Sequence, residues 1–283
     1  MNGIGESLFA TLFPSDCRIC RKPLVNISRL PVCPDCLAQI HAISCEVCAI
    51  CGESIATPYA LGVQPEKLLC GACRQDKPPF AKAVAYGSYN GNLRELIHLL
   101  KYEHVKPVAQ VLGDMLAEAI ERIKDALPVE GVVVVPVPLH KSKRRQRAFN
   151  QAEMIARAAL DLLKKKDGNA GVQTWIVNKK ALVRCRATQS QIGLTRAQRL
   201  ENMRGAFAAA HSKAVQNRTV LLIDDVVTTG TTVAECARIL RKAGASKVYV
   251  ASVARTLRIE AQGFGVGSFS PELENEDLAA TGS

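Results

Sequence analysis

Residues 220–232 read VLLIDDVVTTGTT. Two adjacent carboxylates, Asp224 and Asp225, follow an apolar run and precede Val226, Val227 and the small polar stretch Thr228, Thr229, Gly230, Thr231 and Thr232. A continuous apolar run marks a strand buried on both faces of a parallel sheet. Ligands of such sheets sit off the carboxyl ends of the strands. The Thr/Gly stretch leads into an amphipathic pattern over 231–244. Its amides and the positive end of a helix dipole favour a phosphate there. Threonine hydroxyls add donors, and Gly230 permits close backbone approach. Two carboxylates so near would repel a phosphate unless they served something else. Neighbouring sugar hydroxyls, which donate to carboxylates, are one target; a metal ion is the other. One Asp here would read as a helix cap, but two before such a loop do not. A nucleotide triphosphatase would carry G-x-x-x-x-G-K-[ST] upstream, and the chain contains no Gly-Lys dipeptide.

The second chemical constellation is a set of cysteines. Nine of the eleven lie before residue 74. Cys17-x-x-Cys20 and Cys33-x-x-Cys36 form one set, with twelve residues between the pairs; Cys48-x-x-Cys51 and Cys70-x-x-Cys73 form another, with eighteen. A Cys-x-x-Cys turn presents two thiolates to one ion, and two such turns complete a closed tetrahedral zinc site. Disulfides or idle thiols are the alternative, which a reducing compartment disfavours. Cys45 overlaps with Cys48 and is a spare ligand or a free thiol. A segment this small cannot build an adequate core, so metal would supply folding energy. Cys185 and Cys236 are expected to be buried small apolar residues.

Elements must hold the acid pair in place. AVAYGSYN (83–90) alternates like a strand, and LRELIHLLKY (93–102) places Leu93, Leu96, Ile97 and Leu100 on one helical face. A second helical period runs from Pro107 to about Ala126. VVVVPV (132–137) reads as a doubly buried strand, followed by a helix over 151–164. ALVRC (181–185) is a weaker strand, TVLLID (219–224) a buried one, and KVYVASVA (247–254) closes the series. Gly244 suits the end of the helix at 231–244. This alternation predicts a mostly parallel sheet of about five strands with helices on both faces. The expected organisation is a double zinc ribbon over 1–78, an α/β domain over 79–258 and a loose acidic tail over 259–283.

Composition narrows the partners. The 283 residues are 48% hydrophobic, an ordinary globular balance. The formal charge of +11 falls to roughly +7 once eight thiolates hold two Zn²⁺. Such a balance fits a phosphorylated small molecule or nucleic acid equally. Only 5% of residues are aromatic, which argues against a base-stacking groove for single strands. No apolar run reaches the length of a membrane span. The N-terminal stretch lacks the basic start of a secretory signal, so no membrane insertion and a cytoplasmic location are expected.

VLLIDDVVTTGTT resembles the 5-phosphoribosyl-1-pyrophosphate (PRPP) signature of type I phosphoribosyltransferases. The resemblance implies that Asp224 and Asp225 hold the ribose hydroxyls and that residues 228–232 hold the 5-phosphate, with Val226 and Val227 completing the PRPP-binding stretch. The cysteine pairs, LRELIHLLKY, VPVPLHKSKRRQRAFNQAE, RCRATQSQIGLTRAQRLENMRGAF, the acid signature and VYVASVART together resemble the ComF family over residues 17–256, in the family's order. Ala148 stands where that family more often has Gly. The resemblance implies a type I phosphoribosyltransferase fold on a double zinc ribbon, with Mg²⁺ accompanying PRPP and two structural Zn²⁺. It also implies a link to DNA uptake or DNA utilisation, with single-stranded DNA or a DNA-import or helicase component as further partners. By position, Pro136, Val137 and Pro138 form the family's pyrophosphate loop, and Lys141, Lys143, Arg144, Arg145 and Arg147 follow it. These cations read as a pyrophosphate clamp, a DNA track or a solvated basic loop. RATQSQIGLTRAQR resembles the mobile loop that closes over PRPP, bringing Gln191, Arg196 or Arg199 near the pyrophosphate, with Lys101 contributing and Tyr102 either contributing or in the core. The functional expectation is phosphoribosyl transfer to an acceptor that the sequence leaves open. The alternatives are a PRPP-responsive component without chemistry and a zinc-ribbon nucleic-acid binder.

Overall fold

A computed structural model describes residues 16–24, 29–55, 64, 67–167, 170–187 and 196–257. The acidic tail over 259–283 and the loop residues 188–195 lie outside them. Two short helices, α1 (Pro34–Ala38) and α2 (Gly71–Gln75), belong to the cysteine-rich segment. Then follow β1 (Lys82–Ser88), α3 (Gly91–Lys101), α4 (Val108–Glu121), β2 (Val133–Pro136), α5 (Lys141–Arg147), α6 (Gln151–Asp167) and α7 (Ala170–Gln173). The chain continues through β3 (Ile176–Val177), β4 (Leu182–Arg184), α8 (Arg196–Met203), β5 (Phe207–Ala209), β6 (Thr219–Val227), α9 (Thr231–Lys242) and β7 (Lys247–Arg255).

Five strands form one sheet in the order β1-β7-β6-β2-β3, and every pairing is parallel. Successive side chains point to opposite faces of a strand, and the valine-rich strands therefore feed two cores. Val134, Leu221, Ile223 and Ala251 pack with α3, α4 and α6 on one face. Val133, Val135, Val220, Leu222 and Val250 pack with α9 on the other. Gly113 lets α4 lie against α6, because a Cβ there would come within 2.4 Å of the Ala158 Cβ.

The expected sheet and helices are present, with three corrections. ALVRC does not supply the fifth parallel strand. Its Leu182–Arg184 stretch is β4, which pairs antiparallel with β5 in a separate two-stranded ribbon, while Ile176–Val177 takes the sheet edge. Two residues are too short to show a strand period, so β3 left no sequence signal. The strand carrying the acids runs on to Val227, so Asp224 and Asp225 lie within it rather than at its end. The basic stretch 141–147 is a helix and not a loop, ending at Ala148 in the left-handed region with φ 59°. That conformation suits glycine, which accounts for the family's more frequent Gly at the position where this chain has Ala148. Gly244, also at positive φ, follows the last turn of α9 as expected.

The cysteine-rich segment wraps the β1 edge. The Ile43 amide donates to the Tyr86 carbonyl and the Ala83 amide to the Ile50 carbonyl, at 2.8 and 2.7 Å. Ala42 bridges Gly87, where any Cβ would strike Leu93 and the His41 carbonyl. Arg255, at the end of β7, meets Glu53 at 3.0 Å with both side chains largely buried.

Candidate functional site

β6 carries the acid pair past the end of β2 while remaining paired with β7 as far as Val227. β2 leaves the sheet at Pro136, opposite Ile223, and the Val137 amide still donates to the Ile223 carbonyl at 2.8 Å. Asp224 Oδ1 accepts from the Asp225 amide at 2.9 Å. Asp225 Oδ1 lies 2.8 Å from Lys101 Nζ, and both side chains are only 13% exposed. Burial opposes the Lys101 charge, but the Asp225 carboxylate more than offsets this and holds the lysine above its ordinary range. Asp224 is pushed up to about 8, first by burial and then by the neighbouring Asp225 charge, with Lys101 pulling the other way. The site therefore offers two adjacent carboxyl groups, Asp225 paired with Lys101 and Asp224 biased by burial toward its protonated form. That is the pattern a pair of vicinal hydroxyls can satisfy.

Three residues separate the strand from the helix. Thr229 Oγ1 and Thr231 Oγ1 are 2.9 Å apart, and Gly230 adopts φ 77°. The Cβ that a larger residue would add at Gly230 meets nothing within 4 Å. The glycine is thus required by backbone angle, and the space above it is open. α9 begins at Thr231, and the amides of a helix's first turn have no partners within the helix. Loop and helix end together form a cradle for an anion. Beneath it, burial and the nearby Asp224 charge raise the Cys236 thiol well above its usual value.

The other expected residues separate. Lys101 faces Asp225 rather than the basic stretch. Arg147 stacks over the Tyr102 ring at 5.3 Å, and that ring is exposed rather than core. Arg144 lines a cavity together with Pro138 and Arg184. Arg196 and Arg199 stand on α8, and their side chains lie outside the described residues, as does Gln191. Two further residues have no role in the sequence reading. Asn150 donates to the Val137 carbonyl at 3.0 Å and accepts from the Ala152 amide at 3.1 Å, tying the exit of β2 to the start of α6. Asparagine before a helical period is an N-cap signal, but its hold on Val137 is a tertiary contact that no local pattern announces. Arg184 stacks on Phe207 at 5.4 Å and is near enough to Asp224 to lower its pKa.

The eight cysteines close into two separate sets, Cys17/Cys20/Cys33/Cys36 and Cys48/Cys51/Cys70/Cys73, with the sulfurs of each within 4.8 Å of one another. Neighbouring sulfurs lie 3.9, 3.7 and 3.6 Å apart at Cys17–Cys36, Cys20–Cys33 and Cys51–Cys70. Four thiolates around zinc, with bonds of about 2.3 Å, stand about 3.8 Å apart, so the donors fit the ion. Crowding divides the thiols. Cys48 is held down at about 4, chiefly by Cys51, while burial pushes Cys73 up to about 12. Cys45 is exposed and joins neither set. Cys236 is buried as expected, but Cys185 is exposed, because β4 belongs to the outlying ribbon and not to the sheet. Among the described residues no helix is long and apolar enough to cross a membrane.

A parallel sheet carrying an acid pair and a glycine-opened anion cradle defines a phosphoribosyltransferase-type domain, here joined to a double zinc ribbon. The phosphoribosyl transferase domain model matches residues 157–261 and the double zinc ribbon domain model residues 8–74. The DNA utilization protein YhgH of Salmonella typhi is 31% identical over 246 residues, covering 86% of this chain and 98% of that one. Competence protein F of Haemophilus influenzae is 30% identical over 244 residues, covering 84% and 96%. Competence protein ComFC of Bacillus subtilis is 22% identical over 219 residues, covering 75% and 79%. The chain belongs to the ComF family.

Proposed function

We propose that the chain binds PRPP with Mg²⁺ and transfers its phosphoribosyl group to an acceptor, releasing pyrophosphate. The observation that carries this reading is the adjacent Asp224 and Asp225, with Lys101 2.8 Å from Asp225, beside the open Gly230 cradle. An acid pair partly balanced by Lys101 accepts the two ribose hydroxyls without strongly repelling a 5-phosphate seated on residues 228–232. In the transfer, the acceptor's lone pair forms a bond to C1 while the C1–oxygen bond breaks. That electron pair leaves with pyrophosphate, and the acceptor loses its proton. Positioning and charge neutralisation supply most of the rate. Mg²⁺ takes oxygen donors, which the carboxylates of Asp224 and Asp225 offer, and when bound it would neutralise the leaving pyrophosphate. Pro136, Val137, Pro138, Arg144 and Arg147, with Arg196 and Arg199 from α8, are assigned to the pyrophosphate side. Lys101 belongs instead with the acid pair, where it balances Asp225.

The names of the relatives support a role in DNA uptake or DNA utilisation, in the cytoplasm, with single-stranded DNA or an import or helicase component as partner. Thermal denaturation with PRPP and Mg²⁺ tests the pocket. Millimolar PRPP raises the melting temperature, and Asp225→Asn abolishes the shift. No shift in the unmodified protein overturns the reading. Pyrophosphate release across a panel of bases and amines then separates transfer from PRPP binding without chemistry.

A further inference from the structure

Beside the acid pair, across the exit of β2, lies a second cavity of about 340 Å³. Its floor is apolar, with Pro138, Leu139 and Leu182 at its base. Its rim is cationic. Lys141 and Arg144 come from α5, Lys179 and Lys180 from the turn after β3, and Arg184 from β4. Among the described residues one carboxylate reaches it, Glu153, and that charge is already met by Arg157 at 2.9 Å and Lys179 at 3.1 Å. With Arg144 given to pyrophosphate and Lys179 paired with Glu153, Lys141, Lys180 and Arg184 still leave the rim a net positive charge. The cavity also opens toward the reaction centre. Pro136 pairs with Ile223, the residue before Asp224, so Pro138 and Leu139 leave the sheet alongside the acids. Arg184 lies within electrostatic reach of Asp224 from the cavity side.

An apolar floor under a rim of fixed cations selects an amphiphilic anion, a flat apolar body bearing a phosphate. We propose that this cavity seats the acceptor, and that the acceptor is a small molecule carrying a phosphomonoester on a ring of nucleobase size. The assignment of the occupant as acceptor rests on the phosphoribosyl reading; the occupant's chemistry rests on the cavity. A nucleic-acid strand is the less favoured occupant. Among the described residues the lining has no Phe, Tyr or Trp on which bases could stack, and the cations ring a concavity instead of following a track.

Phenyl phosphate is a suitable probe because it has the ring and the phosphate but no ribose for Asp224 and Asp225 to hold. Calorimetric titration at physiological salt, with PRPP and Mg²⁺ saturating, reads its binding. A sub-millimolar dissociation constant is expected, with phenol and inorganic phosphate each binding at least tenfold more weakly. Lys180→Glu, at an exposed position, weakens phenyl phosphate about tenfold by reversing one charge on the rim, and leaves the PRPP melting shift unchanged. Lys242→Glu makes the same charge change at the opposite end of the sheet and leaves both unchanged. Three results overturn the proposal: no binding of phenyl phosphate at millimolar concentration, equal weakening by the two variants, or displacement of the probe by oligothymidylate at lower concentration than by free phosphomonoesters. A PRPP shift without phenyl phosphate binding removes this inference alone. Phenyl phosphate binding that is sensitive to Lys180→Glu, without any PRPP shift, removes the transferase reading and keeps the cavity's ligand class.

Discussion

Replacing Lys101 with methionine tests the electrostatic heart of the site. Methionine keeps the length and apolar stem of the lysine but removes its charge. Asp225, whose carboxylate lies 2.8 Å from Lys101 Nζ with both groups 13% exposed, then loses its counter-ion. Removing one partner of a buried pair costs about 3–5 kcal/mol, and the residual solvent contact places Lys101→Met near about 3 kcal/mol. For a chain of this size that lowers the melting temperature by about 6–12 °C. The pH dependence follows from the sign of the carboxyl shift. Asp224 already titrates near 8, far above its unfolded value of 3.8, so its ionisation penalty is absent below the unfolded value and complete above the folded one. Without the ammonium the pair holds its proton more tightly. The deficit of Lys101→Met therefore grows from about 1 kcal/mol at pH 5 to its full size at pH 8. Calorimetric melts at several pH values measure this, and Lys101→Met with Asp225→Asn supplies the double-mutant cycle. Removing both charges brings the protein back within about 1 kcal/mol of the parent, a coupling of at least about 2 kcal/mol. The reasoning is refuted if Lys101→Met costs less than about 0.5 kcal/mol at every pH, or if the two substitutions simply add.

Other outcomes are equally specific. Metal analysis finds two zinc ions per chain; Cys48→Ser leaves one, and Cys45→Ser still binds both, because Cys45 stands outside each four-sulfur set. Ala148→Gly raises stability by about 0.5–1 kcal/mol, since glycine relieves the left-handed strain at φ 59° at some entropic cost; chemical denaturation reads the change. Glu53→Gln leaves the buried guanidinium of Arg255 without its counter-charge and costs about 2–3 kcal/mol, whereas Glu53→Gln with Arg255→Met recovers part of the loss in the same denaturation assay.

Those features were unequally legible in the amino-acid sequence. The acid pair, the Thr/Gly turn and both cysteine sets were readable because their chemistry is local: a turn of three or four residues holds all the donors. The buried strands were readable for a similar reason, since valine runs such as 132–135 have no other stable home. What sequence did not reveal was pairing across distance. Lys101 lies at the end of α3, and nothing near it announces that its ammonium meets Asp225 on another element. Arg184 and Asn150 acquire their roles only when β4 and α6 are folded against the exit of β2. Residues 181–185 looked like a sheet strand because short apolar alternation fits any half-buried pleat, including that of the outlying ribbon.

The zinc ribbon's grip on β1 has a consequence for the life of the protein before any substrate is met. β1 is the outermost strand of a parallel sheet, and its carbonyls and amides would otherwise face water in a row. Uncovered edges of this kind recruit other chains into intermolecular pairing. Here Ile43, Ile50 and Ala42 occupy that edge, and they can do so only while the thiolates around them are held together by metal. Zinc depletion is therefore expected to uncover this edge and promote self-association, and turbidity after chelation, before any loss of the sheet, checks it. On this account the ribbon shields the sheet edge in a metal-dependent way, and folding yield is expected to follow zinc supply.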